Sequence, residues 1–160
     1  MRQDDTKAYA AGVIKQALRG LEVFGELETD GLITRDGKSI KCTPLGENVS
    51  ILGVPVKDAK KVMRAISDKR SDLKTILRGL IRARAEMLEP VANQVLGRLP
   101  ATSIDEVVCE DNMPGIVENC LEDLEYINHI LLSLMEQKHA LRKETEKMEV
   151  SLLTLLNSMR

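Results

Sequence analysis

The fold is decided by GIVENCLEDLEYINHILLSLMEQKHALRKETEKMEVSLLTLLNSM, the stretch from residue 115 to residue 159. Thirteen of its positions, spaced alternately by three and four residues from Val117 to Met159, hold eleven apolar side chains. Only Lys138 and Thr145 interrupt this stripe, and neither Gly nor Pro follows Gly115. Because this spacing places apolar residues on one helix face, it predicts a single long coiled-coil-type helix over residues 115–160.

A helix of this length, about 65 Å, must bury its apolar stripe against another helix. The apolar segment at 71–99 is too short to cover all of it, so the simplest prediction is a homodimer. The expected dimer seam consists of Leu124, Ile127, Leu131, Leu134, Leu141, Met148, Leu152 and Leu155. The alternative is that the helix breaks near Lys143 and Glu144 and folds back as a hairpin.

The first part of the chain combines a helix with a β-hairpin. Apolar residues at helical spacing predict a helix over 6–24, and glycines spaced six residues apart then exclude its continuation. Two short extended runs follow, and Asp36-Gly37 lies between them. This dipeptide predicts a hairpin over 32–42, because glycine accepts the positive φ that a two-residue turn requires.

Amphipathic helices fill the middle of the chain. Thr43 and Pro44 predict the N-cap and first residue of a helix that ends near Gly53. A helix over 55–67 is expected to turn inward Val56, Ala59, Val62, Met63 and Ile66. Ser71 is the expected cap of a longer helix over 71–99, which Pro90 kinks or restarts.

These elements predict a mainly α fold: a helical bundle with a small β-hairpin near the N-terminus and a long C-terminal coiled-coil helix. The expected divisions are a hairpin-containing module at 1–67, a helical region at 68–100, a linker at 101–114 and the long helix at 115–160. The linker is expected to hold a short helix at Ile104–Cys109.

Composition excludes several classes of protein. The three aromatic residues, none of them Trp, are too few for a single-strand binder that stacks bases on exposed rings. Three scattered cysteines do not form a disulfide framework, which favours a cytoplasmic location. The polar N-terminus has no signal-peptide core, and no apolar run is long enough to predict a membrane span.

Motifs for catalysis and cofactor binding are absent from the sequence. It contains no phosphate-binding loop, no dinucleotide fingerprint and no nucleophile elbow. We therefore expect no catalytic residue, no cofactor and no small-molecule substrate. Glu136 and His139 have the Glu-x-x-His spacing of bundle di-iron sites, but only one such motif exists, and His129 is ten residues from His139. A solvated helix face is the simpler interpretation, and no metal site is expected.

Charge is unevenly distributed although the net charge is only −2. Ten Lys or Arg against three Asp lie between residues 57 and 84, whereas residues 104–126 hold eight Asp or Glu and no Lys or Arg. Regular spacing of the cations is typical of a surface that follows a phosphate backbone. The alternatives are a solvated face or one paired with the acidic segment. The candidate nucleic-acid contacts are Lys57, Lys60, Lys61, Arg64, Lys74, Arg78 and Arg82, with Arg35, Lys38 and Lys41 on the hairpin.

One segment resembles a known family. Residues 10–66 carry Leu18-x-x-Leu21, Gly31-Leu32-Ile33, Asp36-Gly37, Thr43-Pro44-Leu45-Gly46 and Val49-Ser50. This run is similar to the winged-helix segment that follows the motor domains of archaeal superfamily 2 helicases of the superkiller-like, DExH-box group. The resemblance implies a winged-helix-like module at 1–67. A full winged helix has two helices before the one that leads into the wing, whereas only the helix over 6–24 precedes the wing here, so the chain is expected to be a fragment of that module or only wing-like.

Three functions follow from these patterns. The first is a nucleic-acid-binding accessory module, the C-terminal region of a superfamily 2 helicase without its ATPase motor; the parent protein would be an ATP-dependent helicase. The second is a dimeric winged-helix-like DNA-binding regulator. The third is a coiled-coil adaptor that binds a protein. The first two require nucleic acid, either DNA or RNA, as the partner, and none involves a membrane.

Overall fold

A computed structural model describes residues 3–68, 70–107 and 114–159. It confirms the mainly α class with a small β-hairpin. The chain forms two compact units, one ending at Gly53 and the other beginning at Val54. The sequence grouped the helix after Val54 with the hairpin, whereas its packing places that helix in the second unit.

The first unit consists of α1 (Gln3–Thr29), β1 (Ile33–Asp36), β2 (Ser39–Cys42) and α2 (Pro44–Leu52). The two strands pair antiparallel, with Ile33 opposite Cys42 and Asp36 opposite Ser39. The two residues of the turn are therefore Gly37 and Lys38. The predicted turn at Asp36-Gly37 is wrong by one residue, because Asp36 is paired with Ser39 in the ladder. Gly37 takes the first central position with φ 60°, as in a type II′ turn.

The junction between hairpin and α2 forms as the sequence predicts. The Thr43 hydroxyl accepts a hydrogen bond from the Gly46 N–H at 3.0 Å, Pro44 begins the helix, and Gly53 ends it with φ 64°. The Thr43 N–H donates to the Leu32 carbonyl at 3.0 Å, which ties the start of α2 to the residue before β1. Leu32 and Val49 are buried, so this small unit packs at the junction.

The second unit begins with α3 (Val56–Ser67), α4 (Leu73–Arg84) and α5 (Glu89–Arg98). The expected inward faces are largely confirmed, but Val56 is exposed. Asp72, not Ser71, caps α4: its carboxylate accepts from the Thr75 N–H at 2.7 Å, and this bond lowers the pKa of Asp72. The single helix over 71–99 is also wrong, because the backbone leaves the helical conformation at Ala85 and a 3₁₀ turn precedes α5.

The stretch at 115–159 is two helices, α6 (Pro114–Leu134) and α7 (Arg142–Ser158), packed against each other. The single long helix is therefore wrong, and the break at 135–141 precedes the alternative position near Lys143 and Glu144. The side chain of Arg142 accounts for the end of α6. Its guanidinium donates to the Leu132 and Met135 carbonyls at 2.9 and 3.0 Å and so caps the helix. His139 fastens the connection by bonding the Ile66 carbonyl and the Leu141 N–H, both at 3.1 Å.

The core of the second unit lies among α4, α5, α6 and α7, with Val62 of α3. It includes most of the expected dimer seam: Leu124, Ile127, Leu131, Met148, Leu152 and Leu155 are buried, and Leu134 and Leu141 are partly buried against them. The reason for expecting a dimer is therefore wrong, because the far half of the stripe is covered by α6. In the linker, residues 104–106 form a 3₁₀ turn, and Cys109 lies outside the described residues.

Candidate nucleic-acid interface

The surface of α3 carries a row of cations opposite its buried side. Lys57, Lys61 and Arg64 follow one another at i, i+4 and i+7, while Ala59 and Val62 face the core. Within the described ranges, none of these three cationic side chains has an ion-pair partner. Lys60 lies on the same face and has an interaction of its own. We call Lys57, Lys61 and Arg64 the α3 cation row.

The cations of α4 are held differently. Arg82 forms an ion pair with Glu89 at 3.0 Å, so its charge is already balanced by a carboxylate. Lys74 and Arg78 are half-buried, and both act on the nearby Asp72 carboxylate. In the described part of the chain, the Arg78 Nε is buried without a hydrogen-bond acceptor. The predicted α4 stripe is thus partly neutralised, and the buried Arg78 Nε is not accessible to a phosphate.

A cleft of about 210 Å³ opens where α3, α4 and α6 meet. Lys57 and Lys61 of the α3 cation row line it, and Leu80, Ile127 and Ile130 contribute apolar walls. Arg84 also lines the cleft, and its guanidinium stacks 4.5 Å from the centre of the Tyr126 ring. The cleft therefore joins two ammonium groups and the Asp58 carboxylate to apolar walls and an aromatic ring.

Part of the acidic segment does pair with the basic one. Arg84 lies 3.4 Å from the Asp123 carboxylate and 3.7 Å from that of Asp58. The contact with Asp123 confirms the alternative of cross-bundle pairing for Arg84. Arg84 is held by two carboxylates and a ring, so it positions the cleft wall rather than offering a free charge.

The hairpin does not bring its three basic residues together. Arg35 lies opposite Ile40 and Lys41 opposite Thr34, so Arg35 and Lys41 point to opposite faces of the hairpin. Arg35 also pairs with Glu28 of α1 at 2.9 Å. Lys38 occupies the turn, as expected for a tip residue, and its side chain is exposed.

Between α6 and α7 lies a polar cluster that the sequence analysis missed. Glu125, His129 and Glu149 place one nitrogen or oxygen atom each within 4.8 Å of one another. The His129 Nδ1 lies 3.4 Å from a Glu149 oxygen. Burial and the adjacent Glu149 carboxylate raise the pKa of Glu125, and His129 opposes this shift. We call these three residues the α6–α7 cluster.

Two of the three residues of this cluster could have been grouped from the sequence. Glu125 and His129 are four residues apart, so they share a helix face. Glu149 joins them only because the chain folds back between α6 and α7. By contrast, the Glu136–His139 pair considered from the sequence does not assemble, since Glu136 is exposed and His139 bonds the Ile66 carbonyl.

Cys120 sits in the core, as its position on the stripe predicts. Burial, and secondarily the Asp123 carboxylate, raise the pKa of its thiol to about 12. A thiol held in its protonated form is a poor nucleophile and a poor metal ligand. Cys120 therefore acts as a small apolar core residue.

Comparisons with known proteins identified no relative of this chain. No protein-family model, curated protein or solved structure matches the chain. The helicase resemblance of residues 10–66 stays a prediction. Of the helices that the structure describes, none combines the length and the apolar character needed to cross a bilayer.

Proposed function

We propose that this protein is a nucleic-acid-binding module that holds the phosphate backbone against α3. The α3 cation row carries the proposal, because three cations at i, i+4 and i+7 lie on one helix face without carboxylate partners in the described chain. Such a row suits successive phosphates, which bind Lys and Arg without regard to base sequence. In the wider proposal, the module guides a strand while a separate superfamily 2 motor hydrolyses ATP.

The cleft beside the row supports the same function. Lys57 and Lys61 line it, so a strand whose phosphates lie on α3 passes along its rim. Lys38 and Lys41 of the hairpin are exposed and belong to the proposal as secondary contacts.

The two alternative functions lose support. Both the dimeric regulator and the coiled-coil adaptor depended on an uncovered apolar stripe, and most of that stripe, which runs along α6 and α7, is buried in the core of the second unit. Backbone binding through α3 requires neither a dimer nor a partner helix.

The test is a triple variant in which Gln replaces Lys57, Lys61 and Arg64. Its affinity for a nucleic-acid duplex and for a single strand is measured over a range of salt concentrations. Lost phosphate contacts weaken binding and flatten the plot of log K against log salt, by about 0.9 for each duplex contact and about 0.7 for each single-strand contact. We expect this flattening together with weaker binding at low salt.

The matched control changes the same amount of charge elsewhere. Lys143 and Lys147 are exposed residues of α7, and neither belongs to the α3 cation row. Lys143→Glu combined with Lys147→Gln removes the same three units of positive charge and is expected to leave the salt slope unchanged. Equal losses in the two variants would show that only net charge matters, and no binding by the native chain at low salt would overturn the proposal.

A further inference from the structure

The α6–α7 cluster is independent of the proposed nucleic-acid surface and has the chemistry of a metal site. Glu125 and His129 come from α6, and Glu149 comes from the facing helix. Each offers one ligand atom, and all three atoms lie within 4.8 Å of one another. The carboxyl groups of Glu125 and Glu149 lie side by side, and a side-chain hydrogen bond joins them.

A second observation comes from Asn128, one residue before His129. Its side chain is fully buried, and its Nδ2 donates to the other Glu149 oxygen at 2.9 Å and to the Thr145 carbonyl at 3.1 Å. Among the described residues its Oδ1 finds no hydrogen-bond donor. A buried amide oxygen without a donor is costly, and the side chain that bears it contacts the cluster through its Nδ2, which holds Glu149.

We propose that Glu125, His129 and Glu149 bind a divalent transition-metal ion, with Zn²⁺ as the best match. One imidazole with two carboxylates is a ligand set that suits zinc, whereas Mg²⁺ and Ca²⁺ favour oxygen ligands alone. Ligands of a tetrahedral zinc ion at about 2.0–2.2 Å lie about 3.3–3.6 Å apart. The His129–Glu149 separation of 3.4 Å already has that value.

The surroundings fit an open rather than a closed site. The His129 side chain is 54% exposed and that of Glu149 is 13% exposed, so an ion enters from solvent on the His129 side. Three protein ligands leave the fourth position to water. The buried side is shaped by Asn128, whose bond to Glu149 orients that carboxylate as outer-shell partners do in established zinc sites. Bound zinc would join α6 to α7 and stabilise the packing of these two helices.

The experiment titrates the metal-free full chain with ZnCl₂, using calorimetry for affinity and thermal unfolding for stability. The exposed Cys42 is replaced by Ser throughout, and so is Cys109, which lies outside the described residues, because a free thiol binds zinc. We expect one zinc per chain and a rise in the unfolding midpoint, with MgCl₂ and CaCl₂ ineffective at the same concentration.

Variants assign the binding to the cluster. His129→Ala and Glu149→Gln are each expected to weaken zinc binding at least about tenfold, since even the loss of an outer-shell partner costs about 10–100-fold. Glu144→Gln is the matched control, because this exposed carboxylate lies on the same helix outside the cluster. Circular dichroism checks that each variant is folded. An absence of zinc binding by the native chain, or binding that His129→Ala leaves unchanged, overturns the proposal.

Discussion

At the scale of single residues, Gly46 shows how a close approach overrides helix propensity. It lies in the first turn of α2, where a Cβ would collide with the backbone carbonyl of Leu32. Elsewhere in a helix, Gly→Ala stabilises by about 0.5–1 kcal/mol. At Gly46 we expect the opposite, a loss of roughly 1–3 kcal/mol, because backbone must move to admit the methyl group.

Hydrogen exchange measures this effect locally, since Gly46→Ala is expected to reduce the protection of the β1–β2 amides. Gly79→Ala is the control, because Gly79 lies within α4 with open space around it. That change is expected to stabilise the second unit. Unaltered hairpin protection in Gly46→Ala would show that the junction relaxes without cost.

At the scale of elements, the α6–α7 hairpin makes a prediction that separates it from a coiled-coil dimer. Leu152 and Leu155 are fully buried within the chain. Replacing both with Glu places two charges in the core. The free-energy cost of desolvating them exceeds the free energy of unfolding of a domain of ordinary stability. We expect the double variant to lose its native helical content, as measured by circular dichroism.

The same helix supplies the control for this experiment. Val150 is 65% exposed and Leu153 is 42% exposed, so changing both to Glu adds the same charge on the solvent side. This control is expected to stay folded. A Leu152→Glu, Leu155→Glu chain that stays folded and changes only from dimer to monomer would restore the coiled-coil interpretation.

At the scale of the whole molecule, the second unit has a core of its own. Every member of the main buried cluster lies between Val62 and Leu156, and every partly buried residue packed against it lies beyond Gly53. We therefore expect residues 54–160, expressed alone, to fold with the helical content of α3–α7. The α3 cation row is within this piece, so nucleic-acid binding and its salt slope are expected to persist.

Circular dichroism and thermal unfolding check the fold of this piece, and the salt titration checks its binding. A piece that unfolds would show that the first unit contributes to the stability of the second. A folded piece that no longer binds nucleic acid would move the proposed interface from α3 to the hairpin, where Lys38 and Lys41 are exposed.

The sequence by itself determined the features that depend on neighbours along the chain. Thr43, Pro44 and Gly53 set the bounds of α2 because caps act within one helical turn. The spacing of apolar and basic residues also fixed which face of α3 is buried and which carries the cation row. Both patterns repeat locally, so no distant contact is needed to interpret them.

The position of the break in the long apolar stripe, and the residues that cover the stripe, depend on contacts between parts of the chain that are distant in sequence. A heptad pattern has the same form whether its partner is a second chain or the other arm of a hairpin. Neither Gly nor Pro marks the break, since the guanidinium of Arg142 caps α6 from beyond the connection. Glu149 reaches Glu125 and His129 for the same reason: the fold-back joins residues that no local spacing relates.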